Sequence, residues 1–286
     1  MRICDGTLIS VLQLGTLDYA TGLRLQQKLV QLRKDGLIGD VLLLLEHTPV
    51  ITLGRNAKAA NVIASPDQLE KRGVEVFECD RGGDVTFHGP GQLVGYPIVD
   101  LRGFTSTDIK RKTLGAVEYV RRLEELLIRT CAAFRIPAER VSGLTGVWTM
   151  AERSGTGAIV PPTGSKTRFH TSEGESKIAA IGVHISRGVT SHGFALNVNV
   201  DLAYFDLIIP CGITSKQVTS MAKELNQPLS LQDVAHSVSR NFGVVFQSQM
   251  LWLETLDSLL GKSIGLPMKP PSELRKLQGE EDTFWV

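Results

Sequence analysis

The chain of 286 residues is 42% apolar and 21% charged, with 31 Lys and Arg against 30 Asp and Glu for a net charge of +1. Such a composition excludes fibrous and low-complexity classes and supplies no overall field for binding nucleic acid. The apolar run Val41 to Leu45 is far too short to cross a bilayer, so neither a nucleic acid nor a membrane is expected as a partner. The N-terminus, MRICDGTLIS, lacks the basic region, apolar stretch and cleavage site of a secretory signal. Cys4, Cys79, Cys131 and Cys211 are dispersed, with no CxxC pair. A reducing, cytoplasmic setting is therefore expected, without a disulfide framework, a locally spaced zinc site or any other metal.

Residues 17–34 carry Leu23, Leu25, Leu29, Val30 and Leu32 among polar residues, a helix pattern ended by Gly36. Val41 to Leu45 predicts a strand buried on both faces, and Ile51-Thr52-Leu53-Gly54 a short strand stopped by glycine. Ser65-Pro66-Asp67-Gln68 reads as a helix start, with Ser65 as cap, Pro66 in the first turn and Gln68 completing a capping box. Val74 to Phe77 alternates as a strand, and residues 108–134 predict a long helix stopped before Pro137. Strands are expected around Val147-Trp148-Thr149, Lys177 to Ile185 and Leu196 to Val200, then an amphipathic helix from near Ser230 carrying Val234, Val238, Phe242, Val245 and Phe246. Thirteen of the 25 residues from Ala151 to Glu175 are Gly, Pro, Ser or Thr, which predicts a long loop inserted between strands. The chain is read as one domain, residues 1–246 with the inserted loop at 151–175, and a C-terminal extension, residues 247–286, whose end is polar and proline-bearing.

Three stretches can carry chemistry. Arg81-Gly82-Gly83-Asp84-Val85-Thr86-Phe87-His88-Gly89-Pro90-Gly91-Gln92 is the densest in glycine and would let backbone approach a ligand closely. It fits neither the P-loop nor the dinucleotide fingerprint. A glycine turn of this kind is more often structural than ligand-binding, and Arg81 and His88 flanking it favour binding. Cys211 lies between Pro210 and Gly212, on bent backbone rather than a helix face, whereas Cys131 sits among apolar neighbours in a helix and reads as core. Lys177 opens the apolar strand KIAAIGVH, followed by SRGVTSHGFALNVN. A lone lysine or cysteine in such a place is more commonly structural than catalytic.

Together these stretches, with Glu46-His47-Thr48-Pro49, Thr52-Leu53-Gly54-Arg55 and PCGI followed by Val218-Thr219-Ser220, resemble the lipoyl(octanoyl) transferase family from about Tyr19 to Phe246. The resemblance implies an α+β fold, a mixed β-sheet core with packed helices like that of biotin and lipoate protein ligases. It implies transfer of an octanoyl group from octanoyl-acyl carrier protein to a lipoyl-domain lysine, through a thioester on Cys211 assisted by Lys177. It places substrate contacts on Arg81, Gly82, Gly83, Asp84, Val85, Thr86, Phe87 and His88, on Ala180, Ile181 and Gly182, and on Gly193, Phe194 and Ala195. The acceptors it implies are the lipoyl domains of 2-oxoacid dehydrogenase complexes and the glycine cleavage H protein. No cofactor is implied, and a monomer is the default. The inserted loop departs from the family pattern and brings its own Lys166, but the intact KIAAIG context keeps the role on Lys177.

Residue chemistry is consistent with that reading. A cysteine divides acyl transfer into thioester exchange and amide formation, neither of which needs ATP. A thiol of pKa about 8.5 is only about 3% thiolate at pH 7, so a neighbouring ammonium favours the reactive form. The acceptor lysine starts about 3.4 pKa units on the wrong side, a cost of some 4 to 5 kcal/mol, and needs a base, for which Lys177 is the candidate once neutral. Alternatives are an ATP-dependent lipoate-protein ligase, an octanoyl amidotransferase acting between lipoyl domains, and a non-catalytic acyl-binding module. The PCGI cysteine and the lack of a basic glycine-rich adenylate loop weigh against the ligase.

Overall fold

In the computed structural model, which describes residues 7–150, 174–210 and 217–263, the apolar run of the sequence lies in an interior strand of a large sheet. Five strands and two helices occupy the first part of the chain: β1 (Leu8–Leu17), α1 (Tyr19–Lys34), β2 (Asp40–His47), β3 (Val50–Leu53), α2 (Pro66–Lys71), β4 (Glu75–Glu78) and β5 (Val85–His88). Then follow β6 (Gln92–Ile98), α3 (Ala116–Ala133), β7 (Ala138–Glu139), β8 (Val147–Met150), β9 (Glu175–Ser186) and β10 (Val189–Asn197). The last elements are β11 (Gln217–Val218), α4 (Met221–Leu225), α5 (Leu231–Phe246), β12 (Gln249–Leu253) and α6 (Leu256–Ser263).

Strand order across the large sheet is β12-β1-β2-β6-β10-β9-β8-β7, with β11 alongside β9. The pairs β12/β1, β1/β2 and β11/β9 are parallel and the others antiparallel, so the sheet is mixed. Side chains alternate along β2 as its burial on two faces requires. Leu42 and Leu44 join Leu123, Leu127, Val234 and Phe242 of α3 and α5 on one side, while Val41, Leu43 and Leu45 meet Leu25 and Leu29 of α1 on the other. A second sheet, β4-β3-β5, builds its own cluster from Ile51, Val85 and Phe87 with Leu69 of α2 and Phe205. This is the α+β, mixed-sheet architecture with packed helices that the sequence implies.

Local signals hold where side chains act on their own backbone. Ser65 caps α2 with Gln68 returning to its N–H, and Ser230 caps α5 by accepting from Asp233 N. Cys131 is fully buried in the core, where burial pushes its thiol up to about 12. The long helix, however, begins at Ala116 rather than Asp108. Glu118 accepts from Ser106 Oγ and from both Thr107 N and Oγ1, which folds the preceding segment back on the helix, and Thr105 bridges to Thr113. Beyond residue 246 the chain continues into the large sheet. Residues 249–253 form β12, an integral strand that pairs in parallel with β1 from Leu8↔Gln249 to Leu12↔Leu253, because the turn at Gln247 (φ 53°) returns the chain to the sheet edge. The inserted loop up to residue 173, with Lys166, and the chain after Ser263 lie outside the described residues.

Candidate active site

The two sheets meet over a cavity of about 470 Å³, within the range of small-ligand pockets. One wall is the glycine-rich segment, which is docked onto β9 by Gly82 N–H donating to Val183 O at 3.0 Å. The backbones come so close there that a Cβ on Gly182 would lie 2.7 Å from Gly82 O, so this contact requires glycine. Arg81, Gly83, Asp84, Val85, Thr86 and His88 line this wall; Lys177, Ala180, Ile181 and Gly182 come from β9, and Gly193, Phe194 and Ala195 from β10. Gly82 and Phe87 are not among the lining residues. Phe87 points instead into the small-sheet cluster, stacked on Tyr204 with centroids 4.7 Å apart and edge-on to Phe205. Cys211 lies outside the described residues.

Arg81 does something other than offer an open fork to a ligand. Its Nη2 donates to Thr52 O and Asp84 O, both at 2.6 Å, Nε donates to Thr52 Oγ1 at 3.1 Å, and Nη1 donates to Gly82 O at 3.1 Å. The guanidinium thus ties the glycine-rich segment to β3. Among the described residues no carboxylate lies within 4.0 Å of it, so its charge acts on the cavity, where it disfavours protonation of His88 and favours ionisation of Tyr19 and Tyr96.

Lys177 is 9% exposed, with Nζ 5.1 Å from the ring centroid of the buried Trp148, a cation–π distance. Its stem lies against Gly146, which sits at φ 124° and where a Cβ would be 2.8 Å from Lys177 Cε. Gly146 N–H is itself held by the fully buried Glu124, whose other oxygen accepts from Arg121 and Arg140. The backbone of Lys177 is fixed from the opposite side: it pairs with Val218 of β11, and Thr219 N–H donates to its carbonyl at 2.9 Å.

Two tyrosines and a histidine that the sequence did not mark as candidates complete the cavity: Tyr19, Tyr96 and His192 all line it. Hydrogen-bond accounting assigns the imidazole tautomers. Gln92 Nε2 donates to Phe87 O and Asn197 Oδ1, so its Oε1 accepts from His88 Nδ1–H at 2.7 Å and His88 Nε2 carries the lone pair. His47 Nδ1–H donates to Leu17 O, and its Nε2 accepts the Tyr96 hydroxyl at 2.6 Å. Burial holds both rings neutral, His47 at about 4 and His88 at about 3, the latter helped by His47 beside it. Burial raises both tyrosine phenols well above their usual value.

His192 is placed differently. It adopts φ 55°, its ring is nearly buried, and its Nε2–H donates to Asp80 Oδ1 at 2.7 Å. Asp80 Oδ2 accepts from His184 Nδ1, and His184 Nε2 lies 3.5 Å from Arg55 Nη2. The two imidazoles hold the Asp80 carboxyl far below the usual carboxylate range. The only sequence signals for this group are its positions: Asp80 directly precedes Arg81, and His192 directly precedes Gly193.

Residues 18–243 match the family described as the lipoyl protein ligase A/B catalytic domain. An octanoyltransferase of Koribacter versatilis is 54% identical over 274 residues, covering 96% of this chain and 98% of its own, and one of Acidobacterium capsulatum is 55% identical over 255 residues, covering 88% and 96%. Among solved structures, a bipartite lipoate protein ligase from Thermoplasma acidophilum superposes with a TM-score of 0.63 at 15% identity, over 96% of this chain and 99% of that one. A lipoate-protein ligase A bound with ATP gives 0.60 at 15% identity, over 94% and 98%, and both agree with the fold derived above. The chain is therefore an acyltransferase and belongs to the lipoyl protein ligase A/B catalytic-domain family, in its lipoyl(octanoyl) transferase branch.

Proposed function

We propose that this chain transfers an octanoyl group from octanoyl-acyl carrier protein to the lysine of a lipoyl domain, by way of a thioester on Cys211. The acceptors are the lipoyl domains of 2-oxoacid dehydrogenase complexes and the glycine cleavage H protein. The observation that carries this reading is the anchoring of β11 on β9. Gln217 and Val218 of β11, which follow Cys211 closely in the sequence, pair with Ser176 and Lys177 of β9, and this supports a shared role for the cysteine and the lysine in the cavity wall.

In the first half-reaction the Cys211 thiolate attacks the donor thioester and the carrier thiolate leaves. Lys177 gives its proton to that leaving sulfur and becomes neutral. The acyl chain lies among Phe194, Ile181, Val94 and Ala195, where burying its methylenes contributes roughly 5 kcal/mol at about 0.8 kcal/mol each. A positive Arg81 in the wall favours the oxyanion of each tetrahedral intermediate.

Intact mass after mixing the protein with octanoyl-acyl carrier protein, without ATP, followed by peptide mapping, tests the reading. One octanoyl group on Cys211, discharged by an unmodified lipoyl domain, is expected. No adduct, with lipoyl-domain modification appearing only when free octanoate and ATP are supplied, would overturn it in favour of a ligase.

A further inference from the structure

The second half-reaction has a proton count that one lysine does not satisfy. This inference rests on the transfer reading above. An alkylammonium that becomes an amide nitrogen loses two protons. Neutral Lys177 takes one as the tetrahedral intermediate collapses, which restores the ammonium beside the expelled Cys211 thiolate. The other must be removed earlier, because the ammonium has no lone pair with which to attack, and it must end in solvent for the cycle to close.

We propose that His192, oriented by Asp80, accepts this first proton from the incoming lysine of the acceptor domain. With Nε2–H committed to Asp80, the ring keeps its lone pair on Nδ1, which has no hydrogen-bond partner among the described residues, and the side chain lines the cavity. Proton transfer from the ammonium to Nδ1 frees the amine lone pair to attack the thioester carbonyl, and the imidazolium formed is held against the Asp80 carboxylate. After product leaves, Nδ1 returns its proton to water. Asp80 is half exposed at the rim and fixed on its other oxygen by His184, which in turn meets Arg55.

The second imidazole of the cavity cannot take this part. His88 also presents a bare nitrogen, but its partner is the neutral Gln92 and no carboxylate is bonded to it. Burial, His47 and Arg81 all oppose its protonation, so it remains an acceptor of hydrogen bonds. The groups facing His192 are Asp80, the edge of Tyr96, and His88 across the cavity, with Lys34 acting on Asp80 from α1.

Single-turnover experiments on the full chain separate the steps. Enzyme is loaded from octanoyl-acyl carrier protein, freed of donor, and discharged by an unmodified lipoyl domain across a pH series. His192→Asn suits the test because Asn tolerates the left-handed backbone at this position. Discharge at pH 7 is expected to fall about 100-fold in His192→Asn and about tenfold in Asp80→Asn, each at least ten times more than loading. The deficit should close as the pH rises toward the lysine's own pKa of about 10.4. Hydroxylamine, already neutral at pH 7, should discharge variant and wild type at similar rates. Equal losses in loading and discharge, an equal loss with hydroxylamine, or wild-type discharge by both variants would overturn the assignment. If His192→Asn does not fold, the half-exposed Asp80→Asn decides by the same criteria. Absence of any acyl-enzyme in the wild type would instead overturn the transfer reading, and this inference with it.

Discussion

Substituting Gly95 by Ala tests whether the cavity wall is set by one aromatic ring. Gly95 pairs with Phe194 across β6 and β10, and the ring folds over it so closely that an added Cβ would lie 2.1 Å from Cζ, 2.5 Å from Cε1 and 2.7 Å from Cε2. Contacts of that length require the ring to rotate or the strands to part. Phe194 is only 3% exposed, so neither is free, and overpacking of this kind costs about 1–3 kcal/mol. At roughly 2–4 °C per kcal/mol for a domain of this size, Gly95→Ala should lower Tm by about 2–12 °C. Phe194→Ala alone should cost about 3 kcal/mol for lost burial and the cavity it leaves. The double variant should be no less stable than Phe194→Ala, a coupling of about 1–3 kcal/mol measurable by urea denaturation of the four proteins. Removing the ring should also lengthen the acyl pocket, shifting preference toward longer donors by about fourfold per added methylene accommodated. Additive destabilisation by the two substitutions would refute the packing account, and an unchanged chain-length profile in Phe194→Ala would remove the ring from the pocket wall.

Three further outcomes are expected. Glu124→Ala should cost about 2 kcal/mol in urea unfolding: Arg121 and Arg140 are half-exposed and can turn to water, but the buried Gly146 N–H loses its acceptor. Stability should fall with pH between about 6.5 and 4, because His47 and His88 stay neutral in the fold, at about 4 and about 3, while the unfolded chain takes up protons. Each histidine adds a slope of up to about 1.4 kcal/mol per pH unit, so His47→Gln should flatten a urea-midpoint series over that window, and an unaltered slope would refute the assignment. Lys177→Met should slow loading by octanoyl-acyl carrier protein at least tenfold at pH 7, with recovery toward pH 9 as the thiol ionises unaided; a pH-independent defect would refute its electrostatic part.

Much of the fold was legible where one local cause dominates. The five apolar residues Val41 to Leu45 announce a strand covered on both faces, and Ser65 with Gln68 announces its own helix. β6 was not legible, because Gly95 and Pro97 read as breakers. They are tolerated there because Phe194 lies over the glycine and Pro97 sits opposite Leu42 near the strand's end. Glu118 stopped a helix by reaching back eleven and twelve residues, which no periodicity records. In the cavity, the motifs led to Lys177 and the glycine-rich segment, yet Arg81, chosen for ligand binding, is engaged with Thr52 and Asp84. Phe87 alternates away from the cavity while its neighbours Thr86 and His88 line it. Tyr19, Tyr96 and His192 meet at the cavity only through the tertiary fold, from segments far apart in the chain.

The pairing of β12 with β1 also bears on how the protein is made. Leu8 leaves the ribosome 241 residues ahead of its partner Gln249. At about 5–20 residues per second, one edge of β1 waits roughly 12–48 s for its neighbour. During that interval the nascent chain presents an open strand edge, the kind of surface that templates aggregation. Ribosome stalling or truncation before residue 249 would leave that edge permanently uncovered, so the segment after α5 acts as the closing piece of biosynthesis as much as a part of the finished sheet.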